Sequence, residues 1–314
     1  MTLLRTLAPG KVNLCLLVGT PRADGLHPLV SLVQPVTLAD ELRLEPAPPG
    51  ATADEVVCEG VDGENLAARA LAAYRAASGW NGPPQRLTIT KRVPVAAGMG
   101  GGSGDAAAAL RLAAHAAGRP GDPLMAALAP ALGADVAAQV APGRALVTGA
   151  GEHVEPLPDP EHGGLLILPS DARLATAAVY READRLGTPR PAAELDGLAA
   201  EVRAGAAAAA LPLALAVNDL EPAARVLCPA IAAALEAARA AGADLAMVSG
   251  SGPTVFGVFA GPGGARRAEA AAAALRATHP RAVAVAPAGP ELGAVVPAEP
   301  RRPAPAEAAG RVRT

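Results

Sequence analysis

The segment Val93-Pro94-Val95-Ala96-Ala97-Gly98-Met99-Gly100-Gly101-Gly102-Ser103-Gly104-Asp105-Ala106-Ala107 restricts the fold more than any other stretch of the chain. Before it, residues 86–93 alternate Leu87, Ile89 and Lys91 with Thr88, Thr90 and Arg92, the period of a half-buried strand, and Pro94 ends the alternation. After it, residues 106–117 have the composition of a strong helix, expected to begin near 103–105. A strand that passes through glycines into a helix aims unpaired N–H groups and the positive end of the helix dipole at whatever sits in the loop. Glycines without a Cβ let that ligand touch the backbone. The local chemistry is therefore that of an anion site suited to phosphate. A glycine-rich turn capped by Ser103 or Asp105 is the plainer alternative.

Two familiar phosphate motifs do not fit. A Walker loop needs Gly-Lys-Ser/Thr, whereas Gly102 is followed directly by Ser103. A dinucleotide fingerprint laid on Gly102, Gly104 and Ala107 lacks the acidic residue expected further on.

Composition narrows the function. Formal net charge is −3, which supplies no basic field for nucleic acid, so no such partner is expected. Hydrophobic residues make up 51% but aromatics only 2%, so the core must be built from Ala, Val and Leu. Of 27 basic residues only Lys11 and Lys91 are lysines. Lys11 stands inside an otherwise apolar strand, uncomfortable unless it meets an anion. Three scattered cysteines without a CxxC pair suit a reducing compartment. Arg5 and Lys11 interrupt any signal-peptide-like run, and the longest uncharged apolar run, 204–217, contains Pro212 and is too short to span a bilayer. A soluble, cytoplasmic chain without a membrane partner is expected. His115, His153, His162 and His279 lack metal-ligand spacing.

Strands are expected at 2–7 and 12–18, on either side of an Ala8-Pro9-Gly10 break, and at 29–38 and 40–45. Helices are expected at 65–78, 123–132, 175–186, 192–211, 219–226 and 230–241, with strands at 164–169 and within 246–260, then a last helix and strand to about residue 286. Residues 289–314 are rich in Pro, Ala and Arg without periodicity, and a disordered tail is expected there. Strands and helices in non-alternating order indicate an α+β fold with two subdomains.

Pro9-Gly10-Lys11-Val12-Asn13-Leu14, the glycine segment of residues 94–110, and Ser249-Gly250-Ser251-Gly252-Pro253-Thr254 with residues 255–259 resemble, in order and spacing, the three motifs of the GHMP kinase superfamily. Arg22-Ala23-Asp24-Gly25-Leu26-His27, Leu132-Gly133-Ala134-Asp135-Val136 and Asn218-Asp219-Leu220-Glu221 resemble its branch acting on a cytidine-diphosphate-linked methylerythritol of the non-mevalonate isoprenoid pathway. The resemblance spans residues 5–285. It implies a ribosomal-protein-S5-like N-terminal subdomain (1–153), a ferredoxin-like C-terminal one (154–288), and a site in the cleft between them. The implied reaction moves the γ-phosphoryl group of ATP, with Mg²⁺, to the 2-hydroxyl of that substrate, in a monomer or a homodimer.

The same resemblance assigns roles. Asp135 would be the catalytic base and Lys11 its neighbour, offsetting charge on the transferring phosphoryl group. Pro94, Val95, Ala96, Ala97, Gly98, Met99, Gly100, Gly101, Gly102, Ser103 and Gly104 would wrap the ATP phosphates, with Ser103 also a contact to Mg²⁺. Asn65 would serve the adenosine side and Lys91 a phosphate or the purine end, although a helix N-cap and a strand-surface lysine are their plain alternatives. Asn13, Leu26, His27, Tyr180, Ser251 and Gly252 would bind the substrate. Leu26 stands where the family usually has a cytosine-stacking tyrosine, and Ala137-Ala138-Gln139 replaces a usual Pro-aromatic pair. Another GHMP kinase, acting on homoserine, mevalonate or a sugar, and a catalytically silent relative are the alternatives.

Overall fold

Eighteen residues, Leu29–Pro46, form one uninterrupted strand (β2) around which the first sheet is arranged. The computed structural model describes residues 3–61, 63–159, 163–207 and 215–299. β1 (Leu4–Val18) runs antiparallel to β2 over nearly its whole length. Residues 41–46 of β2 also pair with β4 (Gln85–Thr90), and residues 29–33 pair with β5 (Ala145–Gly149). β3 (Glu55–Cys58) lies parallel to β4, and β6 (His153–Pro156) antiparallel to β5.

The expected break at residues 8–10 does not split β1. The register shifts instead between Pro9 and Lys11, and again between Asn13 and Cys15. Irregularities of this kind keep the strand bonded while re-aiming its side chains. They bracket the stretch that carries Lys11 and Asn13. The expected interruption of β2 at residue 39 is likewise absent, because both flanks stay paired with β1.

Four helices pack together against this sheet: α1 (Leu66–Ser78), α2 (Gly101–Ala116), α3 (Leu124–Leu132) and α4 (Ala134–Val140). α2 begins at Gly101, earlier than its composition suggests, because Gly100 adopts a left-handed conformation at the N-cap. The run Ala106 to Ala109 with Leu110, Leu112, Ala113 and Ala114 is buried. Alanine has no side chain beyond Cβ, so α2 can lie close to β1 and α1 on several faces at once. Tyr74, one of the few aromatics, is fully buried and donates its hydroxyl to Asp122 at 2.8 Å.

The second sheet is antiparallel, in the order β10 (Val283–Val285), β7 (Gly163–Leu168), β9 (Val255–Ala260), β8 (Leu245–Val248). Phe256 and Phe259 of β9 supply its core. Around it lie α5 (Thr176–Leu186), α7 (Glu221–Leu227), α8 (Ala230–Ala240) and α9 (Gly264–Leu275), while α6 (Leu195–Ala207) covers β2 and β5 of the first sheet. The helix expected over 192–211 is a 3₁₀ turn, Ala192–Glu194, followed by α6, and its last residues lie outside the described ones.

The chain then returns to the first sheet. Thr37 and Ala286 exchange hydrogen bonds of 2.9 and 3.0 Å, and Ala288 donates to Pro35. The start of the expected disordered tail is ordered. A 3₁₀ turn, Pro290–Gly293, is held by the hydroxyl of Thr6, which donates to the carbonyl of Gly293 at 2.8 Å, and Val296–Pro297 (β11) pairs with β1. Low sequence complexity concealed this, since the contacts are made by backbone. Residues 300–314 lie outside the described ones.

Candidate active site

The three glycine-containing segments converge. Lys11 donates its backbone N–H to the carbonyl of Met99 at 2.9 Å. The Ser249 hydroxyl donates to Gly98 at 3.0 Å, and Thr254 donates to Ala97 at 3.3 Å. Gly98, at φ 78°, lies so close to the 249–252 turn that a Cβ there would stand 2.1 Å from the Ser249 carbonyl oxygen. At Gly100 a Cβ would press on Lys11 Cε at 3.0 Å. Beside this junction opens a cavity of about 640 Å³, with the mouth of α2 on one side and α5 on the other.

Lys11 is nearly fully buried, with its ammonium 2.9 Å from Asn13 Oδ1 and 3.4 Å from Asp135 Oδ2. Asn13 in turn donates to Ser31 at 2.8 Å, and Ser31 donates to the carbonyl of Cys15. The ammonium is thereby aimed at one place. Asp135 sits in the first turn of α4 with its side chain 46% exposed, so a carboxylate open to the cavity faces a cation fixed in the wall. Tyr180 of α5 also lines the cavity, its hydroxyl pushed up to about 12 by burial first and by the charge of Asp135 second. It stays protonated and neutral at ordinary pH.

Of the residues expected in the phosphate loop, 94–98 and 100–103 line the cavity and Met99 and Gly104 do not. Met99 turns its side chain into a core with Val12, Val36 and Val93, and Gly104 packs inside α2 against Pro9 and Ala8. Asn65 and Lys91 line it too. Asn65 caps α1, accepting from the backbone of Ala67 at 2.9 Å. Lys91 is not a surface lysine: its ammonium lies 2.5 Å from Asp40 and 2.7 Å from Asp105. Asp40, fully buried, also accepts from the backbone N–H groups of Arg92 and Val93.

Asp105, read from sequence only as a helix cap, lines the cavity; Asp40, which the sequence did not single out, does not line it but is bonded to Lys91, which does.

The buried Asp40–Lys91–Asp105 group holds two carboxyls to one ammonium. Asp105 is pushed up to about 7, chiefly by burial; Lys91 pulls it down and Asp40 pushes it up again. An unfolded aspartate titrates near ~3.9, so in the window from about pH 4 to 7 the folded chain keeps a proton that the unfolded chain has lost. The cost of ionising Asp105 is absent below that window, grows as pH rises through it, and is complete above it. Asp105→Asn is therefore expected to raise the melting temperature at pH 8, where on the order of 2–4 kcal/mol is at stake, with a gain that shrinks toward pH 5. Thermal scans at the two pH values check this; the same change at both would show that Asp105 does not titrate between them.

Among the expected substrate residues, Asn13, Tyr180 and Ser251 line the cavity, whereas Leu26, His27 and Gly252 do not. His27 places Nδ1 2.9 Å from the carbonyl of Gly19 and Nε2 3.4 Å from Asp184, with its ring 5.0 Å from that of Tyr180. It supports Tyr180 from behind. Leu26 is 53% exposed on the 22–27 turn, and Gly252 is covered by Val248, Ala224 and Ile231. Asn218 is a further buried polar residue beside the site, donating to the carbonyls of Val248 and Gly250 at 2.9 and 2.8 Å. Among the described residues, no three His, Cys, Asp or Glu are grouped so as to hold a metal ion, and no helix is long and apolar enough to cross a membrane.

Two family models match this architecture: GHMP kinases N terminal domain over residues 65–143 and GHMP kinases C terminal over residues 198–280. The chain belongs to the GHMP kinases. It is 41% identical over 268 residues, 84% of its own length and 83% of the other, to a 4-diphosphocytidyl-2-C-methyl-D-erythritol kinase of Anaeromyxobacter sp. (strain K). It is 44% identical over 264 residues, 78% and 84% of the two lengths, to the protein of that name in Streptomyces coelicolor. A crystal structure of 4-(cytidine 5'-diphospho)-2C-methyl-D-erythritol kinase superposes with a TM-score of 0.71 at 38% identity, covering 90% of this chain and 98% of that one. Within the GHMP kinases, then, its place is among the 4-diphosphocytidyl-2-C-methyl-D-erythritol kinases.

Proposed function

We propose that the chain transfers the γ-phosphoryl group of ATP to the 2-hydroxyl of 4-diphosphocytidyl-2-C-methyl-D-erythritol. The observation that carries this reading is the Lys11–Asp135 pair, facing the same cavity as the glycine-lined mouth of α2. Backbone amides at residues 98–103 hold the phosphates, where the helix dipole favours negative charge. Asp135 accepts the proton of the hydroxyl as its oxygen bonds to phosphorus, while the bridging O–P bond breaks and its electron pair leaves with ADP. Lys11 offsets the charge that spreads over the phosphoryl oxygens, and positioning plus electrostatics account for most of such catalysis.

Mg²⁺ suits a donor set of one hydroxyl, Ser103, beside the phosphate loop, because this ion is commonly held by substrate phosphates and one or two protein groups. When bound it would neutralise charge on the β- and γ-oxygens. Tyr180 of α5 and Ser251, bonded to Thr176 of α5, line the cavity and serve the substrate's nucleotide end; Leu26, exposed and outside the cavity lining, offers no π-face in any case. The protein would work in the cytoplasm, as a monomer or a homodimer.

ADP release measured over a panel of alcohols tests the reading. Turnover is expected with the cytidylylated methylerythritol and not with homoserine, mevalonate or galactose. Preference for one of the latter would move the chain to another branch of the family, and no turnover with any would make it a silent relative.

A further inference from the structure

Arg111 lies in α2 with its guanidinium buried. Among the described residues no carboxylate faces it. Nη1 donates to the carbonyls of Gln139 at 2.6 Å and Val140 at 3.4 Å, and Nη2 donates to the carbonyl of Leu7 at 2.9 Å. Burying a cation without an anion is costly, so its position calls for a return other than charge pairing. Burial indeed pulls the guanidinium down to about 10.

Gln139 and Val140 are the last two residues of α4, whose carbonyls have no partner within the helix and carry the negative end of its dipole. Gln139 is itself buried, and its side-chain amide donates to the carbonyl of Pro9 at 3.2 Å.

The spacing along these elements is the telling point. Asp135 and Gln139 are four residues apart in α4, one helical turn of about 6 Å, and so occupy the same face. Pro9 and Lys11 are two residues apart in β1, on either side of its first register shift, and Pro9 presents its backbone carbonyl to α4. Side chains of α4 reach β1 at two points, Asp135 to Lys11 at 3.4 Å and Gln139 to Pro9 at 3.2 Å, while Arg111 grips both elements through Gln139 and Leu7.

We infer that Arg111 and Gln139 are positioning residues that set the distance between Asp135 and Lys11, tying the helix of the base and the strand of the lysine to the helix behind the phosphate loop. This rests on the proposed roles of Asp135 and Lys11.

A helix of seven residues cannot absorb a shift at one end without moving the other. A displacement of about 1 Å at reacting groups can cost ~10²-fold in rate.

The test is a comparison of Arg111→Met, Arg111→Lys and Gln139→Ala at a temperature where each variant is folded by circular dichroism. Arg111→Met and Gln139→Ala are expected to lower kcat by roughly 10- to 100-fold with ATP dissociation constants, read by calorimetry, within about threefold of the parent. Arg111→Lys keeps the charge without the two-pronged fork and is expected to recover only part of the loss. A purely structural role predicts the opposite pattern, a lower melting temperature with kcat unchanged; that result in folded Arg111→Met and Gln139→Ala overturns the inference. Should Arg111→Met fail to fold, Gln139→Ala decides alone, a drop of tenfold or more supporting it and a kcat within twofold rejecting it. Asp135→Ala run alongside separates the two levels. If that variant is active, the assignment of the base is wrong; if it is inactive and Gln139→Ala is normal, only the clamp is.

Discussion

Asp135→Ala is expected to lower phosphoryl transfer by about 10²–10⁴-fold, the usual worth of a positioned general base, while ATP still binds within about threefold of the parent affinity. The separation follows from geometry. The carboxylate is nearly half exposed and its one ion pair among the described residues is to Lys11, so few fold contacts go with it. Lys11 keeps Asn13 as a partner at 2.9 Å and is not left stranded. The backbone amides of residues 98–103 are untouched. Asp135→Asn keeps the shape and removes the basicity, and is expected to be as inactive as alanine. ADP release and calorimetric titration with ATP measure the two halves of the claim, and near-normal turnover in either variant would show that the proton goes elsewhere.

The second large effect is structural at origin. Gly98→Ala is expected to destabilise the protein by roughly 3 kcal/mol or more, a fall in melting temperature of about 5 °C or more, with ATP affinity lost alongside. Alanine at φ 78° is strained in itself, and its Cβ would meet the carbonyl oxygen of Ser249 at 2.1 Å and the backbone of Gly252 at 2.9 and 3.0 Å. None of these neighbours is the end of a flexible side chain, so one loop must leave the other. Gly102→Ala gives the contrast in stability. Nothing lies within 4 Å of a Cβ there, and alanine is the better helix former by ~1 kcal/mol, so its melting temperature is expected to hold or rise. Two glycines four residues apart should thus respond with opposite signs in the same thermal scan. If both fall equally, the loops do not touch as described.

Much of the site was legible because its parts are written in contiguous residues. The strand–glycine–helix passage stands in the sequence as one run and lines the cavity, and a lysine in an apolar strand announced a need for a counter-charge, which Asp135 supplies at 3.4 Å. What stayed hidden is what depends on pairing between distant segments. Lys91 looked like a surface residue since Asp40, 51 residues away, and Asp105 reach it only in the fold. The Ala8-Pro9-Gly10 break proved to be a register shift inside β1, because the long partner strand β2 offered hydrogen bonds that a local turn would have forfeited. β3, β5 and β6, four or five residues each, are too short for their alternation to stand out. Arg111 was invisible for a similar reason: its partners are carbonyl oxygens, which no side-chain pattern betrays.

Strand β2 is shared property. It pairs with β1, β4 and β5 in the first sheet, and its middle residues, 35–37, bind the 286–288 segment that follows the last strand of the second. The two lobes are thus spliced through one central beam rather than joined by a tether. Lineages of such kinases cannot trade one half for a cousin's as an interchangeable cassette, and substrate range must be retuned by changes within a matched pair of lobes.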